Sequence, residues 1–328
     1  MFAAYIEQLG SPEEIRCGEL EPPVPGPTDV LVETAATAVN RVDLFVRSGL
    51  YETPVPFPFV LGRDLVGTVV RPGPGAPGLR PGDRVWCNSL GHGGRQGAAA
   101  ALAVVAADRL YRLPAGVDDR EAVALLHPVA TAWLALFVHG GLTAGQTVLV
   151  GGAAGHVGGA AVTLAAEAGA RVIGTAREAD FGYCRSLGAH EVFDYRDPDL
   201  TSRLRTAAGD GVDVHLDTSG HNDLEQAVAL LGRRGRIVLM AGAAGGSPLL
   251  PPGALYMRDG SVTGFAISNA TVAELAAAAR AVNRLLASGR LRPRGVRAMP
   301  LSAAAEEHSM LERGETGHDR LVLLPYGA

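Results

Sequence analysis

The spacing of apolar residues changes character near Glu121. Before it, short β-branched runs (Val30 to Thr34, Val66 to Val70, Arg84 to Cys87, Leu102 to Ala106) alternate with turn groups such as Pro81-Gly82-Asp83, and prolines crowd residues 22–27, 54–58 and 72–81. Short runs bounded by turn residues predict an all-β, loop-rich domain. One helix interrupts it, about Arg41 to Ser48, introduced by Asn40 with Asp43 three residues on, the spacing of an N-cap and its reciprocal acceptor. After Glu121, helical and strand periods alternate. Glu121 to His139 reads as helix except at Pro128, which should begin or kink a turn. A strand (Val148 to Val150), a helix (about His156 to Ala168) and a strand starting at Arg171 follow, with Val157, Ala161, Val162, Leu164, Ala165 and Ala168 at helical spacing and Gly169 placed as the stop. The pattern continues with helix Phe181 to Leu187, strands Glu191 to Asp194 and Val212 to Asp217, helix Asp223 to Leu231 and strand Arg236 to Met240. Val262 to Ile267 reads as another strand and Thr271 to Ser288 as an Ala-rich helix. The last forty residues return to short strands (Val296 to Met299, Leu321 to Leu324) around a helix at Ala303 to Arg313, and should fold back on the first domain.

Alternation of this kind predicts an α/β fold: a doubly wound parallel sheet of Rossmann type beside the β-rich domain. Within Thr147 to Thr175, Ala153, Gly155 and Gly158 fill the three positions of a G-x-G-x-x-G pattern, with Ala154, His156 and Val157 between them. Those positions serve a tight turn, close approach to a pyrophosphate and close packing of helix on strand. The first glycine is Ala and the chain holds 43 glycines, so a glycine-rich structural turn is the alternative. The strand before, the helix after and the second strand beyond supply the context that a dinucleotide needs.

Composition narrows the field. The chain has 328 residues, enough for two domains, and 47% hydrophobic against 19% charged residues describes a globular protein with a large core. No 18-residue apolar run free of charge or glycine breaks is apparent, and Met1 to Gly10 lacks a signal-peptide pattern, which predicts a cytoplasmic protein with no membrane partner. Three scattered cysteines (Cys17, Cys87, Cys184), none in a C-x-x-C, argue against a disulfide framework or a zinc ribbon. The net charge of −5, with no basic cluster beyond Arg233-Arg234, disfavours nucleic acid as a partner. Every basic residue is Arg, which removes Schiff-base chemistry and any lysine acid.

Several motifs in a fixed order resemble the medium-chain dehydrogenase/reductase superfamily, in its zinc-independent quinone oxidoreductase (zeta-crystallin-like) branch. They are Gly26-Pro27-Thr28-Asp29-Val30-Leu31-Val32, Val39-Asn40-Arg41-Val42-Asp43-Leu44 with Arg47-Ser48-Gly49-Leu50-Tyr51, Pro58-Phe59-Val60-Leu61-Gly62-Arg63-Asp64, Pro81-Gly82-Asp83-Arg84-Val85, the glycine turn, Leu187-Gly188-Ala189 and Asp194-Tyr195-Arg196. The resemblance implies a GroES-like catalytic domain from both chain ends (1–121 and 291–328), a Rossmann domain between (122–290), and a cofactor cleft where they meet. Zinc-dependent relatives place a Cys at Asn40 and a His-Glu pair at Arg63-Asp64, and no counterpart of their four-cysteine lobe exists in residues 88–103. Asn and Arg are poor zinc ligands, so no metal is expected. Reduction of an activated acceptor is then a better expectation than alcohol oxidation.

The same resemblance sets Asn40 against the nicotinamide edge and Tyr51 in the loop lining the substrate pocket, where its hydroxyl can donate to an oxygen that gains charge. Without it, Asn40 and Asp43 read as helix caps and Tyr51 as a buried aromatic. Thr131 matches a position on the nicotinamide-ribose side; otherwise it is a helix-interior Thr bonding back to a carbonyl. NAD-dependent relatives end the second strand with an acid that holds the ribose, whereas this strand ends Thr175-Ala176-Arg177, favouring NADP(H) with Arg177 on the 2′-phosphate and Tyr195 beside the adenosine. Glu178 opposes that choice. Gly242 and Phe265 complete the expected cofactor contacts, and Arg313 and Arg320 are weaker phosphate candidates. His127 and His156 receive no acid role. Loops around 49–58, 88–97 and 243–257 should line the pocket.

The expected reaction is NADPH-dependent hydride transfer to a quinone or an α,β-unsaturated carbonyl, small molecules both. An enoyl-thioester reductase is the runner-up, although polyketide-type relatives use a Lys that is missing here. A non-catalytic NADPH-binding protein is the third reading. Val262 to Ile267 should form a sheet edge, and an apolar edge tends to pair; the resemblance implies pairing with its own copy in a homodimer.

Overall fold

The computed structural model describes residues 1–242 and 245–327 and divides into two units, Met1–His127 with Leu275–Ala328, and Pro128–Glu274. Ala243 and Ala244, in one expected pocket loop, lie outside the described residues. The second unit holds a wholly parallel six-stranded sheet, ordered Glu191–Asp194, Arg171–Ala176, Thr147–Gly151, Val212–Asp217, Leu231–Leu239, Ser261–Gly264. Numbered along the unit this is 3-2-1-4-5-6, the Rossmann order, whose ligand crevice lies where the winding reverses, between Thr147–Gly151 and Val212–Asp217. Its near-continuous apolar strands follow from burial on both faces, with Leu149, Ile173 and Ile237 in one core.

The first unit is β-rich. Asp29–Ala38 is its spine, pairing with Asp64–Pro72, with Leu102–Ala106 and, from the far end of the chain, with Asp319–Leu324. The last forty residues therefore do return to the first unit. Phe2–Ile6 builds a second, three-stranded sheet with Arg16–Glu19 and Phe59–Val60. The fold is thus a GroES-like domain with a Rossmann sheet, as expected.

Four local readings differ. Pro128 neither begins nor ends a helix: Asp119–Trp133 runs through it, and the ladder changes later, into a π-helix at Leu134–His139. The whole run Asp119–His139 is apolar and long enough to cross a bilayer, contrary to the sequence reading, but most of it is buried in the protein as a core helix is. Helix Val272–Ser288 divides at Glu274, its greater part belonging to the first unit rather than the second. The cause is local: Trp86, fully buried, donates to Asn283 Oδ1 at 2.8 Å, and Asn283 Nδ2 donates to the Arg112 carbonyl at 3.1 Å. The β-strand expected over Val262 to Ile267 ends at Gly264, and a 3₁₀ turn occupies Ile267–Asn269. It lies at the edge of its sheet.

Candidate functional site: a glycine turn and a buried charged cluster

The β-strand Thr147–Gly151 delivers the chain into a turn, and helix His156–Glu167 leaves it with Gly155 as N-cap. A Cβ on Gly158 would sit 2.1 Å from the Gly152 carbonyl oxygen, so only glycine lets the helix approach the turn this closely. Ala153 takes the place of the pattern's first glycine, and the adjustment is made across the sheet: a Cβ on Gly174 would fall 2.9 Å from Ala153 Cβ. The turn is pinned to the second strand by Ala153 N–H to Thr175 O (2.9 Å) and Gly152 N–H to Thr175 Oγ1 (3.4 Å). Ala154 is buried, while His156 and Val157 at the helix start are half-buried. The first N–H groups of that helix have no intrahelical acceptor and suit an anion.

Around this turn the expected contacts fall as follows. Thr131 is buried and its Oγ1 has no hydrogen-bond partner among the described residues, so the back-bonding reading does not hold. An unpaired buried hydroxyl costs about 1–3 kcal/mol and invites a ligand. Arg177 is 51% exposed and donates to Asp180 Oδ2 at 3.2 Å; the acid beside it is Asp180 rather than Glu178. Tyr195 is exposed, with the Arg196 guanidinium 5.7 Å from its ring centre. Gly242 adopts φ +103°, and the Phe265 ring stacks on His139 at 4.3 Å.

The first unit holds the second set. Asn40 N–H donates to Asp43 Oδ2 at 2.7 Å, so Asp43 caps the helix Arg41–Ser48. The Asn40 side chain is used elsewhere: Nδ2 donates to Asp64 Oδ2 at 3.0 Å, and Oδ1 accepts from Arg320 Nη2 at 2.8 Å. Arg320 also donates to the Ala124 carbonyl at 3.0 Å and is buried, which corrects its reading as a phosphate contact: its donors serve this network. Arg63 is 1% exposed, and none of its three guanidine nitrogens has a hydrogen-bond partner among the described residues. Its charge lies 5.9 Å from the Tyr51 ring centre. Burial lifts Asp43 to about 6 against the pull of Arg63, and lowers both Arg63 and Arg320 from the ordinary guanidinium value. Glu307, also buried and with no partner for either oxygen among the described residues, is lifted to about 8 by desolvation, with Arg297 and Arg320 opposing. Tyr51 lines a groove of about 460 Å³ with Leu9, Val46, Gly49, Glu52, Thr53, Pro54 and Val55, which makes the 49–58 loop a pocket wall within this unit.

Residues 26–115 match a family model described as an alcohol dehydrogenase GroES-like domain, and residues 157–284 one described as a zinc-binding dehydrogenase. Quinone oxidoreductase from Mus musculus is 31% identical, over 99% of this chain and 98% of its own length. The chain belongs to the quinone oxidoreductase branch of the medium-chain dehydrogenase/reductase superfamily. Quinone oxidoreductase 1 from Escherichia coli (strain K12) is 30% identical over 96% of the chain and 97% of its own length. Among solved structures, Escherichia coli quinone oxidoreductase complexed with NADPH matches with a TM-score of 0.85 at 28% identity, covering 99% of this chain and 100% of that one. An NAD-dependent alcohol dehydrogenase matches at 0.88 and 31%, covering 99% of each chain.

A zinc ion, which the name of one family model implies, does not fit this medium-chain reductase at the ligand positions. Asn40 is committed to Asp64 and Arg320, and Arg63 places a fixed positive charge beside them. The described residues hold no group of three His, Cys, Asp or Glu side chains able to share a metal. A dinucleotide does fit the second unit: the Gly158 cradle, the orphaned Thr131 hydroxyl and the acid-free end of Arg171–Ala176 all suit it. Arg313, expected on a phosphate, instead meets Glu315 with two nitrogens at 2.8 and 2.9 Å. Asn40 and His127 converge on Asp64, with Arg320 holding Asn40 from the other side; no sequence motif joins these four residues, and the paired Arg63-Asp64 departure from the zinc pattern is their one sequence signal.

Proposed function

We propose that this protein is a zinc-independent, NADPH-dependent reductase of quinones or α,β-unsaturated carbonyls. The observation that carries the reading is the glycine turn with an uncharged strand end followed by Arg177, joined to a first unit whose zinc-ligand positions hold Asn40 and Arg63. The NADPH named for the Escherichia coli structure supports the cofactor choice. The cofactor, when bound, supplies the hydride. This chain's residues do the rest. The turn from Ala153 to Gly158 receives the pyrophosphate, Thr131 gives its unpaired hydroxyl to the nicotinamide-ribose side, and Thr175, Arg177, Tyr195, Gly242 and Phe265 complete the cofactor's surroundings. Arg177 must exchange part of its pairing with Asp180 for the 2′-phosphate, which keeps the preference over NADH modest.

Tyr51 is the donor to the acceptor's carbonyl oxygen. Asn40, its amide already engaged, acts by fixing Asp64 and Arg320. The protein works in the cytoplasm as a homodimer joined along the Ser261–Gly264 edge, without nucleic-acid or membrane partners; its net charge of −5 agrees with the former.

The test is NADPH oxidation scanned over quinones, enals and enoyl thioesters, with and without a chelator. Turnover of a quinone or enal that survives chelation is expected. Zinc lost together with activity, or turnover of thioesters alone, would refute the reading. Sedimentation at micromolar concentration should give a dimer.

A further inference from the structure

Asp64 is fully buried, and its two oxygens have different surroundings. Oδ2 accepts from Asn40 Nδ2, and Asn40 is held in turn by Arg320, so the carboxylate cannot swing. Oδ1 has no hydrogen-bond partner among the described residues, and 3.7 Å away lies His127 Nδ1, also buried and also without one. Each atom alone would cost about 1–3 kcal/mol, and a small turn of the imidazole converts the gap into a hydrogen bond. The His127 side chain keeps 12% of its surface while Nδ1 keeps almost none, so what the ring shows to solvent lies away from Asp64. A histidine with one nitrogen facing a fixed carboxylate and part of its ring still exposed is placed to move protons.

We propose that His127 delivers a proton to the reduced acceptor, with Asp64 as the positioning residue that sets its ring, and that the physiological acceptor is therefore an α,β-unsaturated carbonyl; this rests on the hydride-transfer reading above. A quinone leaves a delocalised anion that water can protonate, whereas an enolate must gain a proton at carbon. The acceptor's β-carbon receives hydride, and its C=C electron pair shifts to give an enolate oxygen. The Nε2–H bond of the His127 imidazolium then breaks, and its proton forms the new C–H bond at the α-carbon as C=O reforms. The neutral imidazole, with Nδ1–H toward Asp64, recovers a proton from water. Asp43, Arg63 and Arg320 act on the same cluster, with Glu307 acting on Arg320, and Asp64 sets a carboxylate oxygen 3.7 Å from His127 Nδ1.

His127→Gln tests it, with NADPH binding by fluorescence as the check of folding, in D₂O with an α-methyl enone. The wild type should place deuterium on one face of the α-carbon. His127→Gln should lose about 10²-fold in kcat with KM within about threefold, and deuterate both faces. Asp64→Asn should lose about tenfold in kcat, with KM and the preferred face retained, because the imidazole remains but is less well held. A His127→Gln protein that keeps both kcat and single-face deuteration overturns this assignment alone. A wild type that reduces neither quinones nor enones with NADPH overturns the parent reading and this one with it.

Discussion

In the Rossmann unit, Gly151 to Gly158 form a turn from backbone, glycine and alanine, with His156 and Val157 opening the helix and no acid or arginine among them. In the first unit, Asp43, Arg63, Asp64, Glu307 and Arg320 are carried into the interior, and Asn40 and His127 meet them there. The first arrangement works through close approach: Gly158 leaves no room for a Cβ, and the helix starts there. The second works through charges whose burial is only partly compensated. A site of the first kind should be sensitive to a single added methyl group and indifferent to pH, and one of the second kind the reverse.

The largest expected effect tests the turn. Gly158→Val drives a side chain into the Gly152 carbonyl and should weaken NADPH binding by about 10³-fold, or about 4 kcal/mol, in a calorimetric titration. Affinity within a few-fold of the wild type would mean that shape does not govern that site.

Next comes the pH response of the charged cluster. Asp43 is lifted from 3.8 to about 6 and Glu307 from 4.5 to about 8, so both hold their protons more tightly folded than unfolded. The stability tied to those protons is fully present below about pH 4, and is lost as pH rises through 6 for Asp43 and through 8 for Glu307. For Glu307 the loss between pH 5 and pH 8 is on the order of 3 kcal/mol. Denaturant midpoints should therefore rise for Glu307→Gln over wild type at pH 8 far more than at pH 5. A pH-independent difference would show that the carboxylate is not desolvated.

Tyr51→Phe sharpens the comparison at the groove, where the ring lies near buried Arg63. Loss of one donor to a developing oxyanion costs on the order of 10²-fold, about 2.7 kcal/mol, so kcat for enones should fall by that much and kcat for quinones far less. Equal small effects would leave Tyr51 a packing residue. The smallest effect belongs to Arg177→Ala. Half exposed and already paired with Asp180, this side chain should contribute about 1 kcal/mol to the preference for NADPH over NADH, read from the two dissociation constants. An unchanged ratio would remove Arg177 from the phosphate site.

Legibility followed the same divide. The βαβ unit could be read because its signals are local: Val148 to Val150, the glycines and the helical stripe are neighbours in sequence. Helix Arg41–Ser48, with Asp43 capping Asn40, was legible for the same reason. The continuous helix through Pro128 was not, because tertiary packing of an apolar helix outweighs one lost backbone bond. The charged cluster was legible only in pieces. Its members come from residues 40–43, 63–64, 127, 307 and 320, and no sequence period joins them. Arg320 reads in sequence as a phosphate candidate, and only the pairing of Asp319–Leu324 with Asp29–Ala38 carries it inward.

That pairing also sets a timetable for synthesis. The Rossmann unit is one continuous stretch and can close once Glu274 has left the ribosome, while Asp29–Ala38, made long before, still lacks the neighbour that emerges around residue 322. Domains tend to fold in the order they are made. Here the part translated first is the part that must wait: Asp29–Ala38 can pair early with Asp64–Pro72 and Leu102–Ala106, but its Thr37-Ala38 end stays unmatched until Val322 and Leu323 are made.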